Sequence, residues 1–147
     1  MSTSQYCTFQ LDRVVYGVAV HEVQEVIRFQ EMTRVPRAHA VVSGLINLRG
    51  QIVTAIDLRT RLGLEPRTTE QKPMNVVVRT EDGAVSFLVD QIGDVIEVSE
   101  AQFEEPPPTL AAEQRELVRG VYKLEGSLLL VLDTRRLLSL AASLAAA

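Results

Sequence analysis

Residues 44–64 read GLINLRGQIVTAIDLRTRLGL, and residues 120–140 read GVYKLEGSLLLVLDTRRLLSL. At a shift of 76, seven of the 21 positions are identical. They pair Gly44 with Gly120, Leu48 with Leu124, Gly50 with Gly126, Asp57 with Asp133, Arg59 with Arg135, Leu62 with Leu138 and Leu64 with Leu140. A fainter echo precedes each copy. There Val20, Val23, Glu25, Val26 and Ile27 answer to Val89, Ile92, Asp94, Val95 and Ile96, at a shift of 69. The difference of seven residues matches a longer connection in the second copy, which holds Pro106–Pro108 and the polar stretch Glu113–Glu116. Two matches in the same order indicate a duplicated unit, and a repeat constrains the fold before any other feature.

Each unit reads as mainly β. Val14–Val20 and Val76–Val78 are short β-branched runs of strand length. Leu45–Leu48 and Ile52–Ile56 flank Arg49-Gly50-Gln51, a glycine-bearing turn of hairpin type, and Glu125-Gly126 fills the matching turn before Leu128–Leu132. Asp57 stands where a helix N-cap would, and Leu58, Leu62 and Gly63 suit one or two helical turns closed by glycine. Asp133 does the same for a C-terminal helix carrying Leu137, Leu138, Leu140 and Leu144. Gly44, Gly50, Gly120 and Gly126 read as structural, at backbone conformations or approaches that a side chain would strain.

Several short strands, few aromatics and a repeated hairpin predict an all-β chain of two small, closed barrels with short helices. One domain over residues 6–138 would hold two subdomains, about 14–67 and 76–138, with residues 65–75 as the connection and 139–147 as a frayed tail. Strand exchange between the units stays open at this level.

Composition narrows function. The chain has 147 residues, 46% hydrophobic and 23% charged, enough for one domain with its own core. A lone cysteine, Cys7, rules out an internal disulfide framework and fits a reducing compartment. No apolar run approaches the ~18 residues of a membrane span, and the start lacks the order of a secretory signal. A soluble cytoplasmic protein is expected. His21 and His39 have no second ligand at metal spacing, Ser43-Gly44 is no nucleophile elbow, and Glu104-Glu105 runs into three prolines. The expectation is therefore no enzyme, no metal and no cofactor. Three Tyr, four Phe, no Trp and a net charge of −4 also disfavour the rival reading, a barrel that binds nucleic acid.

The charge is split. Residues 1–67 carry a balance of +2 and residues 68–147 a balance of −6. Opposite-signed ends favour head-to-tail association with similar modules, because complementary potentials steer encounter. Arg34, Arg37, Arg59 and Arg61, spaced and without interleaved aromatics, read as a solvated face.

The organising residues also carry a resemblance. Tyr16-Gly17-Val18, Val23-Gln24-Glu25-Val26 and Thr33-Arg34-Val35-Pro36 resemble the opening of a CheW-type chemotaxis coupling protein. Gly44–Val53, Ile56-Asp57-Leu58-Arg59 and Val89–Val95 are similar to the segments that follow. One departure is Thr54-Ala55, where the family has a proline and a valine. The resemblance implies two five-stranded, SH3-like barrels with short helices, including one at the C-terminus, and a non-catalytic adaptor in bacterial chemosensory signalling. The implied partners are the cytoplasmic tip of methyl-accepting chemoreceptors and the regulatory domain of a CheA-type histidine kinase. It implies a monomer alone and a ring or array with partners, brought to the membrane by them without insertion of its own. Carried onto this sequence, the receptor-binding residues would be Val23, Glu25, Arg49 and Val95.

A physical argument stands beside that mapping. Val23 and Val95 are expected to supply apolar surface at equivalent places in the two units, with Glu25 and Arg49 orienting a bound helix. Arg49 is the most pointed of the four, because its counterpart in the duplicated turn is Glu125, a reversed charge at a matched site. The plainer readings are a core valine for Val23 or Val95, and a surface ion pair for Arg49 with Glu25.

Overall fold

The computed structural model describes residues 2–145, with side chains described for residues 2–139. Ten strands are present among these residues: β1 (Thr3–Leu11), β2 (Val14–Ala19), β3 (Val23–Ile27), β4 (Val42–Leu48), β5 (Gln51–Asp57), β6 (Met74–Thr80), β7 (Gly83–Val89), β8 (Gln91–Ser99), β9 (Val118–Leu124) and β10 (Ser127–Leu132). Three helices accompany them: α1 (Leu58–Arg61), α2 (Ala112–Leu117) and α3 (Thr134–Ala145). Single 3-10 turns follow β2 and β8, at Val20–Glu22 and Glu100–Gln102.

The strands form two five-stranded sheets, ordered β8-β1-β2-β10-β9 and β3-β6-β7-β5-β4. Neither sheet is built from one sequence repeat alone. The first takes β1 and β2 from the first copy and β8 to β10 from the second; the other sheet is composed the opposite way. The register repeats the sequence shifts. Thr54 of β5 lies opposite Val85 of β7, while Leu130 of β10 lies opposite Tyr16 of β2, partners displaced by 76 and 69. Likewise Val26 opposite Val76 answers to Val95 opposite Cys7. The chain crosses between sheets at Val20–Glu22 and returns at Asp90.

Three apolar clusters hold this arrangement. The largest lies between the sheets and draws Phe9, Leu11, Tyr16 and Val18 from one, and Ile56, Val76, Val78, Phe87 and Val89 from the other. Each sheet also encloses a smaller cluster: Ile46, Leu48, Val53, Ala55, Val77 and Leu88 in one, and Tyr6, Val98, Tyr122, Leu129 and Val131 in the other. Strands buried on both faces read as continuous apolar runs, which explains Val76-Val77-Val78 and Leu129–Leu132. Each fully buried Val, Leu or Phe contributes about 1.5–3 kcal/mol relative to its exposed state. The shared core, with Tyr16, Phe9 and Phe87 fully buried, is the main bond between the halves.

The expectation of closed barrels needs correction. The ladder of each sheet is open, and closure rests on one isolated bridge in each, Thr33 with Leu45 and Glu104 with Val121. The two bridges again sit at matched places, since Leu45 and Val121 are 76 residues apart. Here the chain that has left β3 or β8 folds back over β4 or β9. Gly44 makes room for that approach: a Cβ there would stand 2.7 Å from the Thr33 carbonyl oxygen. At Gly120 a Cβ would collide with the Phe103 ring and come within 2.9 Å of the Glu104 carbonyl oxygen.

The helices follow their local signals. The Asp57 carboxylate accepts from the Arg59 N–H at the start of α1, and Gly63, at φ 73°, ends that turn. The Asp133 carboxylate accepts from the Arg136 N–H at the start of α3. Helix α3 carries the chain as far as Ala145, through much of the segment expected to fray, and Ala146 and Ala147 lie outside the described residues. The polar stretch before β9 forms α2, whose Ala-Glu-Gln-Arg-Glu run favours helix and whose Leu117 is buried in the shared core.

Candidate functional site

The tip of the β4–β5 hairpin is a two-residue turn, Arg49-Gly50, with φ of 52° and 87°. Positive φ at both central residues is the type I′ pattern, whose twist matches that of the flanking strands. Asn47 supports the turn by accepting the Gly50 N–H on its side-chain oxygen at 2.9 Å. Arginine in the left-handed region costs about 1–2 kcal/mol relative to glycine. Strain of this kind, at a site that asks only for glycine or asparagine, points toward a use for the side chain.

That side chain is 69% exposed and reaches Glu25 of β3, forming an ion pair and hydrogen bond between Nη2 and Oε2. Strands β3 and β4 are the two edges of their sheet, so the contact spans the seam that the Thr33–Leu45 bridge closes. A bulge between Val23 and Glu25 interrupts the β3 ladder next to the carboxylate. Arg49's hydrogen bond holds the Glu25 carboxyl below its ordinary range; burial opposes this, and a weak bond from Gln24 assists. The expected surface pair therefore exists. It presents an exposed guanidinium beside an ionised carboxylate that is mostly covered.

The apolar residues fall out differently from the expectation. Val95 on β8 is 56% exposed, but its structural counterpart is Val26, at 43%, and not Val23. Val23 is half-buried against the shared core, as is its own counterpart Ile92. The repeat at a shift of 69 already aligns Val23 with Ile92 and Val26 with Val95, and the ladder register keeps that alignment. The structure thus brings Glu25 and Arg49 together, sets Val23 on the same strand as Glu25, and places Val95 in the other sheet. A second matched pair escaped notice: Ile52 and Leu128, 76 residues apart and just past the two hairpin turns, are 69% and 46% exposed. The duplicated alignment, with alternation counted from each turn, was the signal that could have found them.

Two of the arginines assigned to a solvated face are structural. Arg59 is 8% exposed; its Nε and Nη2 donate to the Asp90 carboxylate and its Nη1 donates to the Glu65 carbonyl. Arg67 donates to the same carboxylate from Nε and Nη2, and Asp90 also accepts the Asp12 N–H. Burial would raise the Asp90 carboxyl, but these donors pull it down to about 2. Arg61 donates to the Arg136 and Leu137 carbonyls of α3, and burial lowers its pKa. Local spacing could not reveal this, because the partners lie 31 and about 75 residues away. Cys7 is half-buried, and burial raises its thiol pKa.

Among the described residues no group of three or more His, Cys, Asp or Glu is placed to hold a metal, and no helix is long and apolar enough to cross a membrane. The surface instead offers recognition features: a strained, charged hairpin tip and aliphatic side chains standing out at matched positions. These features sit on a module of two interlocked five-stranded sheets.

Comparison with known proteins specifies the module. The CheW-like domain profile matches residues 5–142. The chain is 33% identical over 139 residues to the chemotaxis protein CheW of Treponema pallidum, covering 92% of this chain and 82% of that one. It is 30% identical to the chemotaxis protein CheW of Bacillus subtilis, over 88% of this chain and 83% of the relative. The crystal structure of the scaffolding protein TtCheW from Thermoanaerobacter tengcongensis superposes with a TM-score of 0.83 at 26% identity, covering 94% of each chain. The chain belongs to the CheW-like family, the non-catalytic coupling adaptors of chemosensory signalling.

Proposed function

We propose that this protein couples methyl-accepting chemoreceptors to a CheA-type histidine kinase and thereby controls the kinase's autophosphorylation. Family membership across residues 5–142 carries this reading. One contact is to the cytoplasmic receptor tip, a helical hairpin, and the other is to the kinase's regulatory domain. The protein works in the cytoplasm, reaches the membrane through its receptors, and joins its partners in a ring or array.

Arg49, Glu25, Val23 and Val95 are the receptor-binding residues of this proposal. The exposed Arg49 guanidinium offers forked donors to an acceptor on the receptor. Glu25 aims it by holding one of its nitrogens. Val95 supplies apolar contact, and Val23, half-buried, supports the Glu25 strand from beneath.

Calorimetric titration against the regulatory domain of the CheA-type kinase from the same genome tests the reading. Saturable binding at about micromolar affinity or tighter supports it. Well-folded protein that binds no such kinase from that genome would overturn it.

A further inference from the structure

The connection between β3 and β4 lines a half-open cavity of about 470 Å³, apart from the receptor-binding residues proposed above. Its walls include Arg34, Pro36, Arg37, His39 and Ser43. We infer that it is a docking site for an acidic peptide segment, one presenting consecutive carboxylates.

The loop is preorganised. Reciprocal backbone hydrogen bonds of 2.8 Å between Thr33 and Leu45 pin its base. Within it the Val35 carbonyl accepts the Ala38 N–H, and the His39 carbonyl accepts the Val42 N–H at 2.9 Å. The Val41 N–H donates to His39 Nδ1 at 3.2 Å. Arg37 is held at φ 63°, a conformation that a non-glycine residue adopts at a cost.

The N–H groups of Ala38, Val41 and Val42 are engaged within the loop, and a ligand meets the Arg34, Arg37 and His39 side chains in the cavity wall. Because His39 Nδ1 accepts the Val41 N–H, Nε2 is the ring nitrogen left to donate to a ligand. Neither Arg34 nor Arg37 has an acceptor or ion-pair partner among the described residues. Two forked guanidiniums and one imidazole N–H form a donor set suited to planar carboxylates. The volume lies within the range of ligand sites, far more than one tetrahedral oxyanion would fill.

The fold does not demand this charge. The matching connection in the other sheet, between β8 and β9, holds Glu100, Glu104, Glu105, Glu113 and Glu116 against Arg115. The β3–β4 connection holds Arg28, Arg34 and Arg37 against Glu31. The two corresponding connections thus carry opposite net charge, and the basic one lines this cavity.

The test is titration of the isotope-labelled protein with a capped Ala-Glu-Glu-Glu-Ala peptide, followed by amide NMR. The same spectra report whether each variant is folded. Saturable shifts confined to residues 34–43 are expected. They should be absent with the glutamine analogue and weaker from about 0.05 to about 0.5 M salt. The variant Arg34→Gln/Arg37→Asn, whose asparagine tolerates the left-handed backbone, should bind about tenfold more weakly or worse. Arg115→Gln/Arg119→Gln should bind as wild type. The inference is overturned by no shift, by shifts spread over other basic residues, by undiminished binding in the first variant, or by an equal response to inorganic phosphate. None of these outcomes depends on whether a kinase is bound.

Discussion

At the tip of the β4–β5 hairpin stands Arg49-Gly50; at the same place on β9–β10 stands Glu125-Gly126. Both glycines hold positive φ, 87° and 78°, so the turns share that requirement. Only the first turn also forces its preceding residue into the left-handed region. A side chain retained there despite strain, paired across the seam, contrasts with a glutamate at an unstrained place. The fold fixes the glycine and leaves its neighbour free to differ between the two turns.

The comparison extends to the two crossings between sheets. At Asp90 a carboxylate gathers Arg59, Arg67 and the Asp12 N–H. Its counterpart at the other crossing is His21, which is exposed. Asp90→Ala would leave two nearly buried guanidiniums without their main acceptor, and a loss of about 3 kcal/mol is expected, against less than about 0.5 for His21→Ala. Denaturant unfolding of both variants measures the difference. The pH dependence has a definite sign. The Asp90 pKa is lowered to about 2, so its contribution is complete above the ordinary carboxylate range and is lost as pH falls from about 4 toward 2. Asp90→Asn should flatten the acid limb of the stability curve, and an unchanged limb would refute that assignment.

The next largest effect separates the two seams. Gly44→Ala drives a methyl against backbone, whereas Gly120→Ala meets the partly exposed Phe103 ring, which can swing aside before the Glu104 carbonyl resists. Costs of about 2–3 and about 1–2 kcal/mol are expected, read as melting temperatures; the reverse order would break the distinction.

At the hairpin tips, Arg49→Glu should weaken receptor-tip binding by about tenfold or more, worth about 1.4 kcal/mol, with the melting temperature little changed. Glu125→Arg should bind within about twofold of wild type. Equal binding by folded Arg49→Glu would remove Arg49 from the interface. The smallest effect carries the most information. Arg49→Asn relieves left-handed strain, so stability should rise by about 0.5 kcal/mol while receptor binding falls. A side chain with only a structural role would not move the two measurements in opposite directions.

Much of the fold was legible because its signals are local or periodic. The hairpins, the turn glycines and the caps at Asp57 and Asp133 each depend on residues within a few positions of one another. The duplication at shifts of 76 and 69 reappears unchanged in strand register. The candidate site was legible only in part. The Arg49–Glu25 pair was anticipated as an alternative, because both residues lie in recognisable motifs. Val26 and Ile52 were passed over, since apolar composition alone does not distinguish an exposed strand valine or isoleucine from a buried one, whereas the repeat alignment and alternation counted from the turn do.

Residue order alone therefore determined the repeated hairpins, their turns and the existence of two equivalent halves, because backbone preference and side-chain period act over short stretches. Three features waited on the tertiary structure. They are the reciprocal exchange of β1–β2 and β6–β7 between sheets, the open ladder closed by one bridge in each half, and the gathering of Arg59 and Arg67 on Asp90. The reason is the same in each case. Strands buried on both faces can satisfy either sheet, and a charge can find its partner tens of residues away, so only the packing of the shared core selects one arrangement.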